Sequence, residues 1–201
     1  MGAVTLDLDF SKVNPKQKLA LEDKHKYIGY GGARGGGKSW FVRVKAILLA
    51  VFYAGIKVLI VRQTYPELMN NHIREMRNIL YKIAKYVDKE KIFYFPNGST
   101  IQFMYCRNDA DLDRFQGTEF DVIFIDEATH LTEYQIKTIG LCMRGANEFP
   151  KRIYFTTNPG GASHHYFKRI FIDKDYMPDE NPEDYSFIQA LVTDNICLLY
   201  T

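Results

Sequence analysis

A glycine-rich segment at residues 32–39 has residue types and spacing that suit phosphate chemistry. It reads GARGGGKS and matches the pattern GxxxxGK[ST] without a gap. Glycines let successive backbone N–H groups face phosphate oxygens, and a helix N-terminus behind them favours negative charge. Lys38 is predicted to reach the β- and γ-phosphates of ATP, and the Ser39 hydroxyl to bind Mg²⁺. The other predicted nucleotide-binding residues here are Gly32, Ala33, Arg34, Gly35, Gly36, Gly37 and Trp40. A purely structural loop is the alternative.

Two acidic residues follow an apolar run farther along the chain. The run VIFI forms a buried strand in this interpretation and delivers Asp126 and Glu127 at its carboxyl end, where open α/β sheets bind ligands. Asp126 is predicted to hold Mg²⁺ through water or the Ser39 hydroxyl, and Glu127 to orient and deprotonate the attacking water. A solvated sheet edge or a helix cap is the alternative. The adjacent second acid favours hydrolysis over kinase chemistry, because a kinase must protect ATP from water.

Two arginines are candidates to stabilise the charge that develops on the γ-phosphate. Arg34 lies inside the glycine-rich segment, and Arg114 lies in the segment DLDRFQG that leads into the acidic strand. A guanidinium in such a position acts as an arginine finger. The alternative is a surface charge, on an exposed loop for Arg34 and on a helix of mixed charge for Arg114.

Amide and hydroxyl side chains flank the two motifs. Gln17 lies fifteen positions before Gly32 and offers both a donor and an acceptor to the adenine edge. Asn158 follows Thr156 and Thr157 at the end of a predicted strand beside the acidic one, where these groups could sense the γ-phosphate. A plain turn is the alternative for Asn158, because a proline and two glycines come next.

The histidines and a group of basic residues outside these motifs are not predicted to belong to the site. His130, His164 and His165 are not predicted to bind a metal, because no cysteine or carboxylate falls at ligand spacing from them. A group of basic residues is interpreted as the solvated face of a helix, with contact to DNA phosphates as the alternative. The group consists of Arg74, Arg77, Lys82, Lys85, Lys89 and Lys91.

Short β-rich runs alternate with longer helical patterns, which predicts that a parallel sheet covered by helices positions these residues. The predicted fold class is α/β: an ASCE-type P-loop NTPase with a mostly parallel central sheet, flanking helices and a β-hairpin insertion around Asn97-Gly98. The predicted strands are 25–30, 57–62, 92–95, 100–104, 121–126, 152–157 and 185–192. The predicted helices are 38–53, ended by Gly55, then 67–86 and 132–143.

Composition and charge place few limits on function. The chain has 201 residues, 46% apolar and 25% charged, which is typical of one globular domain. Its formal net charge of +2 argues neither for nor against nucleic acid. Three cysteines without a CxxC pair suit a reduced cytosolic protein and argue against zinc or a disulfide framework. The longest apolar segment, 46–54, is far short of the ~20 residues that cross a bilayer, so no membrane contact is predicted.

The order and spacing of these segments resemble the large terminase family of tailed viruses over nearly the whole chain. The matching series begins with Asn14-Pro-Lys-Gln17 and GGARGGGKS, and continues with VLIVRQTYPEL and PNGSTIQF. It ends with DLDRFQGTEFDVIFIDEATHL, YFTTNPGG and Thr193-Asp194-Asn195. The loop with an internal arginine and the hairpin before the acidic strand are its most telling features.

The resemblance implies an ATPase that assembles as a homo-oligomeric ring at a portal vertex and drives double-stranded DNA into a procapsid. It implies ATP and Mg²⁺ as cofactors, the portal protein and the small terminase subunit as further partners, and the cytoplasm of an infected bacterial host as the location. Gln17 matches the family's adenine-contacting glutamine, and residues 156–158 match its coupling motif. Arg34 matches the arginine of the phosphate loop, and Arg62 a recurrent arginine after the second strand.

Two departures from the family pattern affect the predicted domain organisation. Ile196 stands where the family usually has proline, and the family's lid and RNase H-like nuclease are absent from the sequence. We therefore expect residues 1–201 to be a single P-loop ATPase domain, truncated near its C-terminal end, without nuclease activity.

Two other functions fit the same motifs. A helicase-like or other DNA-dependent P-loop ATPase would share them, but helicase signatures beyond a first core domain are missing from the sequence. A nucleotide-binding assembly module without turnover fits if catalysis needs a lid and neighbouring subunits. A response of ATP turnover to duplex DNA would separate these functions.

Overall fold

A computed structural model describes residues 8, 13–32 and 37–190. The centre of the fold is an eight-stranded sheet. In chain order its strands are β1 (Tyr27–Gly32), β2 (Lys57–Arg62), β3 (Lys85–Val87), β4 (Ile92–Tyr94), β5 (Thr100–Tyr105), β6 (Val122–Ile125), β7 (Arg152–Thr157) and β8 (Tyr185–Ala190). The order across the sheet is β3-β4-β5-β2-β6-β7-β1-β8. β4 pairs antiparallel with β3 and β5, and the other neighbours pair parallel. The predicted mostly parallel α/β fold is confirmed.

Helices connect the strands and cover the sheet. They are α1 (Pro15–Glu22), α2 (Lys38–Phe52), α3 (Tyr65–Leu68), α4 (Arg74–Ile79), α5 (Glu133–Gly140) and α6 (His164–Phe167). π-helical turns span Met69–Ile73 and Lys168–Asp173, and 3-10 helices span Asp109–Phe115, Ala128–His130 and Pro182–Asp184. Among the described residues, none of these helices combines the length and the apolar character that crossing a membrane requires.

The central strands are buried on both faces because their apolar side chains alternate between two hydrophobic clusters. In β2, Val58 and Ile60 belong to one cluster, and Leu59 and Val61 belong to the other. All four side chains are fully buried, and burying each one stabilises the fold by roughly 1.5–3 kcal/mol. α2 packs in the first cluster and α5 in the second, so helices cover both faces of the sheet.

The predicted strand–loop–helix arrangement around the glycine-rich segment is confirmed, with small shifts in its bounds. β1 covers 27–32 instead of 25–30, and α2 begins at Lys38 as predicted. α2 ends at Phe52, and Gly55 has a φ of +87° in the turn before β2. Glycine adopts this left-handed conformation without steric cost, which accounts for the stop that Gly55 signals in the sequence.

The helix predicted over 67–86 is wrong in its second half. α3, the π-helical turn and α4 form a continuous helical segment that ends at Ile79, and residues 85–87 form β3. Tyr86 pairs with Phe93 of β4, and the centroids of their rings lie 4.7 Å apart. Cross-strand aromatic packing therefore overrides the helical spacing of apolar residues that continues past Ile79 in the sequence.

The predicted hairpin around Asn97-Gly98 is confirmed, but it belongs to the central sheet. Gly98 has a φ of +83°, and its N–H donates to the carbonyl of Phe95 at 3.0 Å. The Asn97 amide donates to the carbonyl of Ala50 at 2.8 Å and ties the turn to α2. β5 pairs parallel with β2 from Lys57 to Arg62. The hairpin therefore widens the main sheet instead of projecting from it.

The remaining predicted elements lie close to the observed ones. β2 and β7 have the predicted bounds, and β6 is one residue shorter at each end than predicted. α5 covers 133–140 of the predicted 132–143, and the Thr132 hydroxyl caps it by accepting from the N–H of Gln135 at 3.2 Å. β8 reaches Ala190. The predicted continuation to residues 191 and 192 lies outside the described residues.

Candidate nucleotide-binding site

The glycine-rich loop leaves the sheet at the carboxyl end of β1, a strand that lies between β7 and β8. Gly32 has a φ of +136°, and a Cβ built on it would lie 1.9 Å from the carbonyl oxygen of Ala190 in β8. Only glycine fits, because the obstacle is backbone and cannot rotate away. Ala33, Arg34, Gly35 and Gly36 lie outside the described residues, so the roles predicted for them stay predictions.

Gln17 fastens α1 to the end of this loop. Its amide nitrogen donates to the carbonyl oxygen of Gly37 at 3.2 Å, and its amide oxygen accepts from the N–H of Asn14 at 3.0 Å. Gly37 has a φ of +70°, and a Cβ built there would lie 2.2 Å from that amide nitrogen. The Gln17 side chain is thus engaged with the protein on both amide atoms, and its predicted contact with adenine stays a prediction.

The first turn of α2 presents the lysine and the hydroxyl of the motif. Lys38 is 8% exposed. Burial lowers the pKa of Lys38, although the carboxylates of Asp126 and Glu127 favour its charged form. The Ser39 hydroxyl donates to Oδ2 of Asp126 at 3.5 Å. The structure therefore brings these four residues together. Trp40 follows them, partly buried against the first hydrophobic cluster.

Asp126 is buried, and besides Ser39 it contacts polar side chains from three other elements. The Thr156 hydroxyl donates to its Oδ1, and Nε2 of His72 lies 2.8 Å from its Oδ2. Nε of Arg62 lies 3.3 Å from the same Oδ2 as an ion pair. Burial alone raises the pKa of Asp126, but His72, Arg62 and Thr156 outweigh burial and hold the pKa below its usual range. The carboxylate is therefore ionised at neutral pH.

Glu127 lies in a different environment from its neighbour. Its side chain is 31% exposed, against 1% for Asp126, and its carboxylate pairs with Nη2 of Arg62 at 2.6 Å. Its backbone is left-handed, with φ of +54° and ψ of +47°, which costs a non-glycine residue roughly 1–3 kcal/mol. Its N–H donates to the Thr156 hydroxyl at 2.8 Å. Arg62 and Thr156 thus each contact both acids.

Asn158 follows β7, which lies between the acidic strand β6 and β1. Its carbonyl oxygen accepts from the Thr129 hydroxyl at 3.3 Å. Its buried side-chain Oδ1 has no hydrogen-bond partner among the described residues. A Cβ at Gly161 would lie 2.3 Å from the carbonyl oxygen of Thr129, so the loop after Asn158 packs closely on the segment after Glu127. These contacts place Asn158 against Thr129, two residues after Glu127, and its predicted role as a γ-phosphate sensor stays a prediction.

Arg114 lies on the 3-10 helix Asp109–Phe115, at the end of β5. Its guanidinium pairs with Asp111 and lies 4.3 Å from the centre of the Tyr105 ring, with 47% of the side chain exposed. Within the described residues, Arg114 forms an ion pair with Asp111 and not with the acids after β6. Arg114 is therefore not brought into the cluster around Asp126, and its predicted role as an arginine finger stays a prediction.

The prediction that no carboxylate lies at ligand spacing from the histidines is wrong for His130. Its Nδ1 lies 3.5 Å from Oε2 of Glu127, and Glu67, Glu127 and His130 have ligand atoms within 4.8 Å of one another. The 3-10 helix Ala128–His130 turns His130 back toward Glu127, and α3 brings Glu67 to the same place. Exposed groups of this kind are common without an ion.

Three residues of the site were missed or only partly anticipated. The sequence predicts Arg62 only through the family resemblance and Thr156 only as a phosphate sensor, and it does not indicate His72. Their partners lie 64, 30 and 54 positions away from them in the chain, respectively, at Asp126. A charged residue at the end of an apolar strand could have indicated that Arg62 belongs to the site. No pattern in the sequence around His72 indicates its contact with Asp126.

The family model described as "Phage terminase large subunit" matches residues 24–199. The chain belongs to this family. The predicted membership of the large terminase family is therefore confirmed. No curated protein matches the chain.

Solved terminase structures share the fold at low sequence identity. The large terminase of a thermophilic bacteriophage has a TM-score of 0.73 and is 18% identical, over 91% of this chain and 47% of its own. Its complex with ADP has a TM-score of 0.71 at 17% identity, over 92% and 46% of the two chains. The ATPase domain of the Thermus phage P74-26 large terminase has a TM-score of 0.62 at 14% identity, over 89% and 81%. These similarities confirm the predicted P-loop NTPase fold.

The chain spans about half the length of the thermophilic phage terminase that it matches. The ATPase domain of the Thermus phage enzyme is covered much more completely, at 81% of its length. The resemblance thus concerns the ATPase part of these large terminases.

Proposed function

We propose that this chain is a single ATPase domain of a phage DNA-packaging motor, which hydrolyses ATP to move double-stranded DNA into a procapsid. The observation that carries the proposal is the convergence of Lys38, Ser39, Asp126 and Glu127 at one edge of the sheet. Family membership and the ADP complex of a structural relative support the same function.

The glycine-rich loop and the first turn of α2 bind the phosphates and contribute to binding the cation. Lys38 supplies positive charge to the β- and γ-phosphates. The oxygens of Ser39 and Asp126 lie 3.5 Å apart and are hard ligands of the kind that Mg²⁺ prefers, so these two residues would hold the ion. Bound there, Mg²⁺ supplies charge that offsets the negative charge of the transferring phosphoryl group.

The environments of the two acids divide their roles. Asp126 is buried and held by three hydrogen bonds, so it serves as a fixed anion for the cation side of the site. Glu127 is 31% exposed and can reach a water molecule at the mouth of the site. Its carboxylate is therefore the general base that orients the attacking water and takes its proton. Arg62 holds both acids in place from the protein side.

Substitution of the lysine and of the base tests the proposed chemistry. Lys38→Ala should abolish nucleotide binding or turnover. Glu127→Gln should bind ATP as wild type does and lose at least about 100-fold in turnover, the range for a removed general base. Glu133→Gln is a matched control, because Glu133 pairs only with Lys137 in α5 among the ion pairs of the described residues. Equal turnover by wild type and Glu127→Gln would remove Glu127 from the mechanism.

The motor activity is tested on the protein together with its DNA. We propose that the chain acts in a homo-oligomeric ring with the portal protein and the small terminase subunit, in the cytoplasm of the infected host. ATP turnover that rises with duplex DNA supports this function. The turnover of a helicase-type ATPase would also rise with single-stranded DNA. An assembly module without turnover would show no rise with either duplex or single-stranded DNA.

The two arginine candidates are tested by subunit mixing. Arg34→Ala or Arg114→Ala subunits are mixed with wild-type subunits at increasing ratios. An arginine that acts across an interface lowers the activity of its neighbours, whereas one that acts within its own subunit lowers activity in proportion to the mutant fraction. Turnover that is insensitive to both substitutions shows that neither residue is a finger.

A further inference from the structure

A buried histidine in the π-helical turn Met69–Ile73 contacts Asp126. His72 is 0% exposed, and its Nε2 lies 2.8 Å from Oδ2 of Asp126. An ionised carboxylate can only accept hydrogen bonds, so Nε2 carries a proton and donates it to this contact. The tautomer of the ring is therefore set by Asp126.

The other ring nitrogen indicates why a histidine occupies this position. Among the described residues, no group forms a hydrogen bond with Nδ1 of His72, which is buried. An unpaired buried polar atom costs roughly 1–3 kcal/mol, and a leucine or methionine would pack in the same place without that cost. The contact with Asp126 is what histidine supplies here and an apolar residue cannot.

The π-helical turn sets the direction of the imidazole ring. The N–H of Arg74 donates to the carbonyl of Met69, five residues earlier. One extra residue in a helical turn shifts the side chains by about 100° around the axis, and such turns occur frequently at functional sites. The guanidinium of Arg43 in α2 donates to the carbonyl of Asn71 at 2.5 Å. This bond fastens the turn that carries His72 to α2, whose first turn carries Lys38 and Ser39.

Two hydrogen-bond partners and one ion-pair partner converge on one oxygen of Asp126. His72 lies at 2.8 Å, Arg62 at 3.3 Å and Ser39 at 3.5 Å from Oδ2. His72 makes the shortest of these contacts and Ser39 the longest. Without the imidazole, the carboxylate would be drawn toward the Arg62 guanidinium, which forms an ion pair with the same oxygen.

We propose that His72 is a positioning residue, whose Nε2–H holds the Asp126 carboxylate toward Ser39 so that both can bind the divalent cation of the nucleotide complex. This inference rests on the proposed function, because it assigns Asp126 and Ser39 to the cation. Residues that orient metal ligands from behind typically contribute 10–100-fold to metal affinity or activity.

The test compares the Mg²⁺ dependence of ADP binding among His72 variants of the full chain. His72→Leu removes the donor and should raise the Mg²⁺ concentration required for tight ADP binding about 10-fold or more. His72→Gln keeps an N–H donor at a similar reach and should restore most of that affinity. ADP binding in excess EDTA should be the same for all variants, because the cation takes no part in it.

Controls separate positioning from stability. Gln135→Leu also replaces a buried polar side chain, which bonds to Asp109 and caps α5, and it should leave the Mg²⁺ dependence unchanged. If His72→Leu does not fold, His72→Asn takes its place, since its shorter amide cannot reach Asp126. The inference is overturned, with the proposed function unaffected, if His72→Gln and His72→Asn show the same Mg²⁺ dependence. The same holds if His72→Leu and wild type show the same Mg²⁺ dependence. Wild-type ADP binding that ignores Mg²⁺ overturns the proposed function and this inference together.

Discussion

Thr156→Val removes one hydroxyl that contacts both acids. The hydroxyl donates to Oδ1 of Asp126 and accepts from the N–H of Glu127 at 2.8 Å. A hydrogen bond to a charged group contributes about 1.5–3 kcal/mol, and the N–H left without a partner costs about 1–3 kcal/mol. Because the two effects share one site and are not fully additive, we expect a loss of about 3 kcal/mol. Valine has nearly the same shape, so packing is little changed.

Thermal unfolding measures this loss directly. For a chain of this length, about 3 kcal/mol lowers Tm by roughly 6–12 °C. Ser163→Ala is the matched control: it removes a buried hydroxyl that donates to the carbonyl of Ala128 at 3.3 Å, and should cost about 1 kcal/mol. Turnover of ATP should also fall in Thr156→Val, since Glu127 loses the bond that holds its backbone. A Tm decrease no larger than that of Ser163→Ala would refute the assembly of the two acids around Thr156.

Three further predictions concern residues around the site and the core. Arg62→Met leaves two carboxylates without their shared cation and should lower the unfolding free energy in urea by about 3 kcal/mol; a loss below about 1 kcal/mol contradicts the ion-pair geometry. Gly37→Ala should destabilise more than Gly55→Ala, because both have positive φ but only a Cβ at Gly37 meets the Gln17 amide; equal Tm values contradict this. Burial lowers the pKa of Lys45 to about 8, from 10.5 when unfolded, so the folded state loses this proton first. The stability of wild type relative to Lys45→Met should therefore rise between pH 8 and 10.5, by at most about 1.4 kcal/mol per pH unit; a difference independent of pH refutes it.

Local patterns predicted the parts of the site that lie close together in the chain. The run KVLIVR gave β2 with its observed bounds, and the glycine-rich segment was placed correctly between β1 and α2. Both predictions depend on properties of the segment itself: continuous apolar burial for the strand, and backbone freedom for the loop. The acids after β6 were correctly placed for the same reason.

Contacts between distant segments could not be predicted. His72 belongs to a π-helical turn, and the helical spacing around it reads as an ordinary amphipathic helix. Its contact with Asp126 depends on how that turn packs against the sheet, which sequence spacing does not specify. In the same way, the spacing of Ile79, Leu80 and Ile83 predicts that the helix continues through β3, because the partner of Tyr86 lies in β4 and not in the local sequence.

The left-handed backbone at Glu127 has a consequence for efforts to make this domain more heat-resistant. Glycine at this position would relieve roughly 1–3 kcal/mol of conformational cost, yet it would delete the carboxylate that contacts Arg62. Removing the carboxylate would also leave the buried Arg62 guanidinium paired with Asp126 alone, a cost that offsets the relief of the backbone. A strained backbone can therefore persist at Glu127 because the ion pair it presents to Arg62 compensates for it, and under the proposed function turnover needs the same carboxylate.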